Sequence, residues 1–241
     1  MDYAKHFEQL IIGMAFNQFS TYMSCFCKPN DKEDFLHGLL SQWRAYGIDG
    51  GYALQLSRKK LLAAIEKLDK KKRWQFDLKD VFYTTANPLR EKVLDHISAF
   101  TRAYIDHLEQ IGRPLSEVFN TRTVPNPIGN LLGGPIEALL DYLIHTKNGH
   151  FSEERECRLS LVEAEASTLE KMPTYCFDRG GLIVPYKTIT DTTIPLADCI
   201  EWIVIGPSSR MNARFKSVCQ IVQSSGLNIK VRPSHIPFVR S

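Results

Sequence analysis

The residues best suited to chemistry are Glu154, Glu156 and Arg158, each two positions from the next. On a strand, alternate residues share a face, so this spacing lines up two carboxylates and a guanidinium a few ångströms apart. Neighbouring carboxylates repel and raise a pKa, while a guanidinium lowers both. Such a set suits a general base, or a carboxylate that stabilises an oxocarbenium-like cation. A salt-bridged polar strand face would show the same triplet. His145 and His150 bracket the turn Lys147-Asn148-Gly149 just before it, so an imidazole lies near in sequence. No G-x-S-x-G, H-E-x-x-H or P-loop pattern is present.

A second group is Gln42-Trp43-Arg44-Ala45-Tyr46-Gly47, where bulky polar and aromatic residues gather at a helix end. Trp43 reads first as core. Gln42, Arg44 and Tyr46 are candidates to stack on or clamp a ligand, since an arginine fork matches phosphate geometry. Gly50 and Gly51 allow a tight turn or close backbone approach. A third group, Gly206-Pro207-Ser208-Ser209-Arg210, follows an apolar strand and opens a helix, which is the setting of an anion site. Ser208, Ser209 and Arg210 are its side-chain candidates, with the Gly206 amide. A serine N-cap is the plainer reading. From Trp202 to the end there is no Asp or Glu. The expected ligand of these groups is a nucleotide or other phosphate-bearing molecule.

The elements that must position them follow from pattern. Residues 3–16 read as a helix, 20–28 as a strand closed by Pro29-Asn30-Asp31, and 32–46 as one helix ended by Gly47. A strand at 52–56 precedes a helix from Arg58 to Leu68, with the basic run Lys70–Arg73 at its end. Asn87-Pro88 opens a helix to about 111, a long loop covers 113–134, and another helix spans 135–147. Strands are expected at 155–162, 181–189, 200–205 and 227–232, with a helix between the last two. The expectation is a single α+β domain over residues 1–241. It holds one mixed β-sheet with flanking helices and a helical insertion at about 86–147.

The 241 residues, 44% hydrophobic, are enough for one sizeable core. The formal charge of +3 is far from that of a strongly basic nucleic-acid binder, although it does not exclude nucleic acid. No apolar run approaches the ~20 residues of a membrane span, and the opening lacks the pattern of a signal peptide. A cytoplasmic location is therefore expected. The six cysteines are scattered, without paired C-x-x-C spacing, and read as reduced core residues rather than a metal or disulfide framework.

Four stretches taken in order resemble the bacterial family known as domain of unknown function 2971. They are Cys25-Phe26-Cys27 with Asp31; Ser41 to Gly47 followed by Gly50-Gly51-Tyr52-Ala53-Leu54; Phe151 to Arg158; and Ile205-Gly206-Pro207-Ser208 with Val231 to Pro237. The resemblance runs from about residue 19 to the end. Members usually begin with a further strand–helix–strand segment bearing an Asn-Asp-Pro motif, which has no counterpart here. The tail Ile236-Pro237-Phe238-Val239-Arg240 carries Phe where Tyr is usual, and an extra residue before the arginine. The Glu-x-Glu entering a strand is similar to the acidic motif of ADP-ribosyltransferases. That likeness implies a nucleotide-dependent transferase or hydrolase with NAD as cofactor and Glu156 as catalytic carboxylate. Glu154 would be its partner, and Arg158 would orient the pair. The alternative is a non-catalytic accessory or phage-defence protein that senses a nucleotide, a nucleic acid or a partner protein. A geometric test separates them: catalysis requires Glu156, Arg44 and Tyr46 to converge on one cleft.

Overall fold

Glycine and a capping aspartate set the first turns of the fold. The computed structural model describes residues 19–47, 50–72, 76–85, 139–164, 172–189 and 196–237, with isolated positions between 95 and 112. After strand β1 (Phe19–Cys27) the chain enters helix α1 (Lys32–His37), whose N-cap Asp31 accepts the Asp34 N–H at 2.8 Å. Gly38 ends α1 with φ 77, and α2 (Leu40–Tyr46) follows. The single helix expected over 32–46 is thus two. The left-handed Gly38 interrupts it, and a Cβ there would lie 2.8 Å from Trp43 Nε1.

The remaining elements are β2 (Tyr52–Leu56), α3 (Arg58–Lys72), β3 (Phe76–Asp80), β4 (Phe82–Thr84), β5 (Thr146–Asn148), β6 (Glu156–Ala164), β7 (Thr174–Arg179), β8 (Leu182–Lys187), β9 (Ile200–Ile205), α4 (Met211–Ser225) and β10 (Lys230–Pro233). The helices expected at 3–16 and 88–111 and the loop at 113–134 lie outside the described residues. The expected helix at 135–147 is described from 139, and it ends at His145, where β5 begins.

The chain divides into two compact units. One comprises residues 80–151 with 1–21 and 162–167, and the other holds 22–79, 152–161 and 168–241. In the first, β4 and β5 pair in parallel, and the helix at 139–145 buries Leu139, Leu140 and Ile144. His145, also buried, engages Asp141 one turn back, Nδ1 to Oδ1 2.9 Å.

The second unit carries the candidate site. Its core joins Leu61, Ala64 and Ile65 of α3 to Leu159 of β6 and to Cys199, with Phe26, Leu56, Phe76 and Leu78 packed around them. Leu61, Ile65 and Leu68 recur at helical spacing on one buried stripe, which is why this segment is a helix and why it covers a sheet. The class is α+β, as expected, but the strands do not form one sheet. Among the described residues they form two three-stranded sheets, β1-β6-β3 and β10-β9-β2, and two pairs, β4-β5 and β7-β8. Among the described residues β1 and β2 are both edge strands, so the expected continuous sheet is interrupted between them. The β7–β8 hairpin turns at Gly180-Gly181, with φ 62 and 86, and Asp178 Oδ1 accepts the Gly181 N–H at 2.7 Å. No helix among the described residues is long and apolar enough to cross a membrane.

Candidate functional site

Within the second unit lies a cleft of about 700 Å³. β1 contributes the unbroken run Cys25–Cys27, continued by Lys28 and Pro29, and β2 contributes Tyr52–Leu56 with Gly51 before it. Asp34 and Phe35 of α1 and Gln42, Trp43 and Tyr46 of α2 line one part. Arg58, Glu154, Glu156 and Cys157 line another.

Glu156 opens β6 and is only 5% exposed. Its Oε2 accepts from Arg158 Nη2 at 2.9 Å, so the expected sharing of one strand face holds for these two residues. Burial opposes the charge on Arg158, but the hydrogen bond and the charge of Glu156 outweigh it, and the guanidinium holds its proton above its usual range. Cys25 belongs to the same cluster. It is an exposed residue, yet its thiol faces the pair. Burial of the thiol, then the hydrogen bond to Glu156 and its charge, push it up to about 11, against a weaker opposing pull from Arg158.

Glu154 departs from the expected strand face. It is the last residue of a 3-10 helix (Gly149–Glu154), and Arg155 after it has φ 46, so the chain turns before the strand starts. The turn is held from outside: Arg155 Nη1 reaches Asp34 Oδ2 at 2.6 Å, and the Arg155 carbonyl accepts the Lys28 N–H at 3.0 Å. Asp34 also accepts the Asn30 N–H at 3.0 Å, which, ahead of Arg155, holds its carboxyl below the usual range against the effect of burial. Glu154 nonetheless lines the cleft with Glu156.

Trp43 is the hinge of the arrangement, buried as expected. Its Nε1 donates to the His37 carbonyl at 2.8 Å, and its ring lies so close to Gly206 that a Cβ there would fall 2.8 Å from Cζ3. The Gly206 amide donates to the Gly51 carbonyl at 2.8 Å, stapling β2 to the end of β9. That amide is therefore not available to an anion. Ser208 packs over Gly50, whose carbonyl accepts from Arg214 Nη1, and the Ser208 carbonyl accepts the Met211 N–H at 3.3 Å. Neither serine is the N-cap of α4. That position is Arg210, with no side-chain cap bond.

Of the sequence candidates, the structure brings Gln42, Trp43, Tyr46, Glu154 and Glu156 into the cleft lining, with Arg158 bonded to Glu156. It places Arg44 outside the lining, exposed on α2, Gly206 against the Trp43 ring, and Ser208, Ser209 and Arg210 likewise outside the lining. Sequence reasoning missed Cys25, Asp34, Phe35, Gln55 and Arg58. Cys25 and Cys27 carried a signal in their one-residue spacing, but were read as core. Of the six cysteines, none of which forms a disulfide, only Cys157 and Cys199 are buried. Gln55 donates to the Phe35 carbonyl and accepts from Arg232 Nη2 at 2.6 Å, and the Arg232 guanidinium lies over Phe35 (4.8 Å) and Trp202 (4.3 Å). This lattice fixes α1 against the β10-β9-β2 sheet. Among the described residues no cluster of three or more His, Cys, Asp or Glu is placed to hold a metal ion.

These features define an α+β protein with a mixed polar and aromatic cleft bounded by two sheet edges. The family model for proteins of unknown function DUF2971 matches residues 42–159, a span that holds both the Gln42–Tyr46 block and the Glu154–Arg158 block. Over that segment the chain is similar to the DUF2971 family. No curated protein and no solved structure matches it.

Proposed function

We propose that the protein is a binding module that works through this cleft. The observation that carries the reading is the state of Glu156: nine-tenths or more enclosed, paired with Arg158 at 2.9 Å and covered by the Cys25 thiol. A carboxylate so engaged is a fixed wall. A base or cation stabiliser must instead meet the reacting atom directly. The exposed rings of Tyr46 (79%) and Tyr52 (53%), beside Gln42, offer faces and an amide to a ligand entering next to it. The role that fits is that of an accessory or defence protein sensing its ligand.

A panel of NAD, nucleotides, short oligonucleotides and peptides, read by thermal shift, tests the proposal. A ligand that raises the melting temperature of the wild type, is recovered unchanged, and has no effect on Leu54→Arg supports it. NAD consumed by the wild type would overturn it.

The second reading, an ADP-ribosyltransferase-like transferase or hydrolase using NAD, is favoured by one observation. Glu154, Glu156 and Tyr46 line one cleft although they come from segments more than a hundred residues apart, while Arg44, which the catalytic reading also calls for, is not in the lining. In that reading Glu156 stabilises the cation left as the glycosidic bond breaks, Glu154 assists it, and Arg158 holds Glu156 in place.

A further inference from the structure

We infer that the ligand of the cleft is an extended polypeptide segment, bound by strand addition to the free edge of β2. This rests on the reading of the cleft as the binding site and names what fills it.

The lining itself gives the first reason. A ligand lying on the face of a sheet touches alternate residues, because side chains alternate between faces. Here every residue from Gly51 to Leu56, and every residue from Cys25 to Pro29, borders the space. That is how the edge of a strand is lined. Among the described residues both strands are terminal in their sheets.

The second reason is the direction of the β2 backbone. β2 pairs with β9 antiparallel, Ala53 opposite Val204 and Gln55 opposite Trp202, and the Gly206 N–H bonds the Gly51 carbonyl. Hydrogen-bonded positions alternate along such a ladder. Gly51, Ala53 and Gln55 therefore turn their amides and carbonyls to β9, and Tyr52 and Leu54 turn theirs outward. Both of the latter residues are 53% exposed. A row of outward amides and carbonyls at strand spacing is matched by another extended backbone.

The third reason is the character of the lining. Asp34 is already paired with Arg155 and Glu156 with Arg158, while the rings of Phe35, Trp43, Tyr46 and Tyr52 border the same space. The segment this suits is a peptide with apolar or aromatic residues at alternate positions, directed toward Phe35 and Trp43 on one side. Five residues of β2 span about 17 Å, so the segment that pairs is about five residues long. It would extend the β10-β9-β2 sheet toward the β1-β6-β3 sheet.

The test begins with ten-residue peptides selected from a random display library on the full chain. Their binding is measured to the wild type, to Leu54→Arg and to Leu54→Pro. Proline at 54 removes an outward N–H and leaves the β9 ladder intact, and edge strands tolerate it. Strand addition is expected to lower affinity about tenfold in Leu54→Pro, the effect of one backbone hydrogen bond lost and its partner left unpaired. N-methylation of the peptide, one residue at a time, is expected to weaken binding at every second position only, a readout that does not depend on how any variant folds. Bound peptide should also slow amide exchange at Tyr52 and Leu54 while leaving Ala53 and Gln55 unchanged. Peptides that bind through the cleft, lost in Leu54→Arg, but tolerate N-methylation at all positions would overturn strand addition and leave the cleft as the site. Peptides that bind Leu54→Arg as well as the wild type would overturn the cleft itself. A selection that yields no peptide, while a nucleotide stabilises the wild type and not Leu54→Arg, would overturn the polypeptide ligand.

Discussion

At the residue scale, the cluster of Cys25, Glu156 and Arg158 makes a testable kinetic statement. A thiol pushed up to about 11 is almost entirely protonated at neutral pH, and the thiolate is the form that reacts. Cys25 is therefore expected to react with iodoacetamide at pH 8 at least tenfold more slowly than Cys176, which is also exposed. Peptide mapping of the alkylated protein measures both rates, and Glu156→Gln should quicken Cys25. The same shift has a stability consequence. A thiol whose folded pKa is raised favours the folded state fully below its unfolded value of 9.0, and the advantage is lost as pH rises toward about 11. The urea midpoint should fall over that window, and less so in Cys25→Ser. Asp34 works in the opposite sense. Its carboxyl is held low, first by the Asn30 N–H and then by Arg155, so its contribution is present above the ordinary value of 3.8 and disappears as pH falls through the lower folded value. Asp34→Asn should flatten that acid limb of the stability profile. The Glu156–Arg158 pairing was legible because a two-residue spacing on a strand fixes it. Cys25 and Asp34 were not, because their meeting with β6 depends on which strands pair across more than a hundred residues of chain.

At the element scale, local signals placed β2 and β9 where the structure has them, and located α3 and β6 to within a few residues. They failed where a tertiary contact decides. Gly38 was visible in the sequence, yet a glycine within an apolar helical pattern is commonly tolerated, and only the Trp43 indole behind it shows why the helix must break there. β3 and β4 were missed because each is short and its partner lies far along the chain. Gly206 is the sharpest case. A Cβ at that position would lie 2.8 Å from the Trp43 ring and 2.9 Å from the Gly51 amide nitrogen, and backbone cannot step aside as a flexible side chain can. Gly206→Ala should destabilise the protein by about 1–3 kcal/mol, the usual cost of overpacking. The loss should be read by urea unfolding together with a shift in Trp emission, since both Trp43 and the β2–β9 pairing must give way.

At the scale of the whole molecule, the division of the β structure at β1 and β2 matters most. The apolar alternation of the strands predicted one sheet, because pattern reports that a strand is half-buried and not which neighbour buries it. The structure leaves two sheet edges bordering a cleft, and of the residues singled out for chemistry Gln42, Trp43, Tyr46, Glu154 and Glu156 line it. Central to the account is that Glu156 is a fixed, paired wall of that cleft. Its most direct test is equilibrium urea unfolding of Glu156→Gln beside the double variant Glu156→Gln/Arg158→Met, with NAD consumption measured on the same preparations. Breaking a buried pair from one side costs about 3–5 kcal/mol, and removing both charges restores most of it. The expected result is a single variant destabilised by about 3 kcal/mol, a double variant close to the wild type, and no NAD consumed by any of them. An unchanged unfolding midpoint in Glu156→Gln, with NAD turnover present in the wild type and absent in the variant, would contradict the account and make Glu156 a catalytic residue.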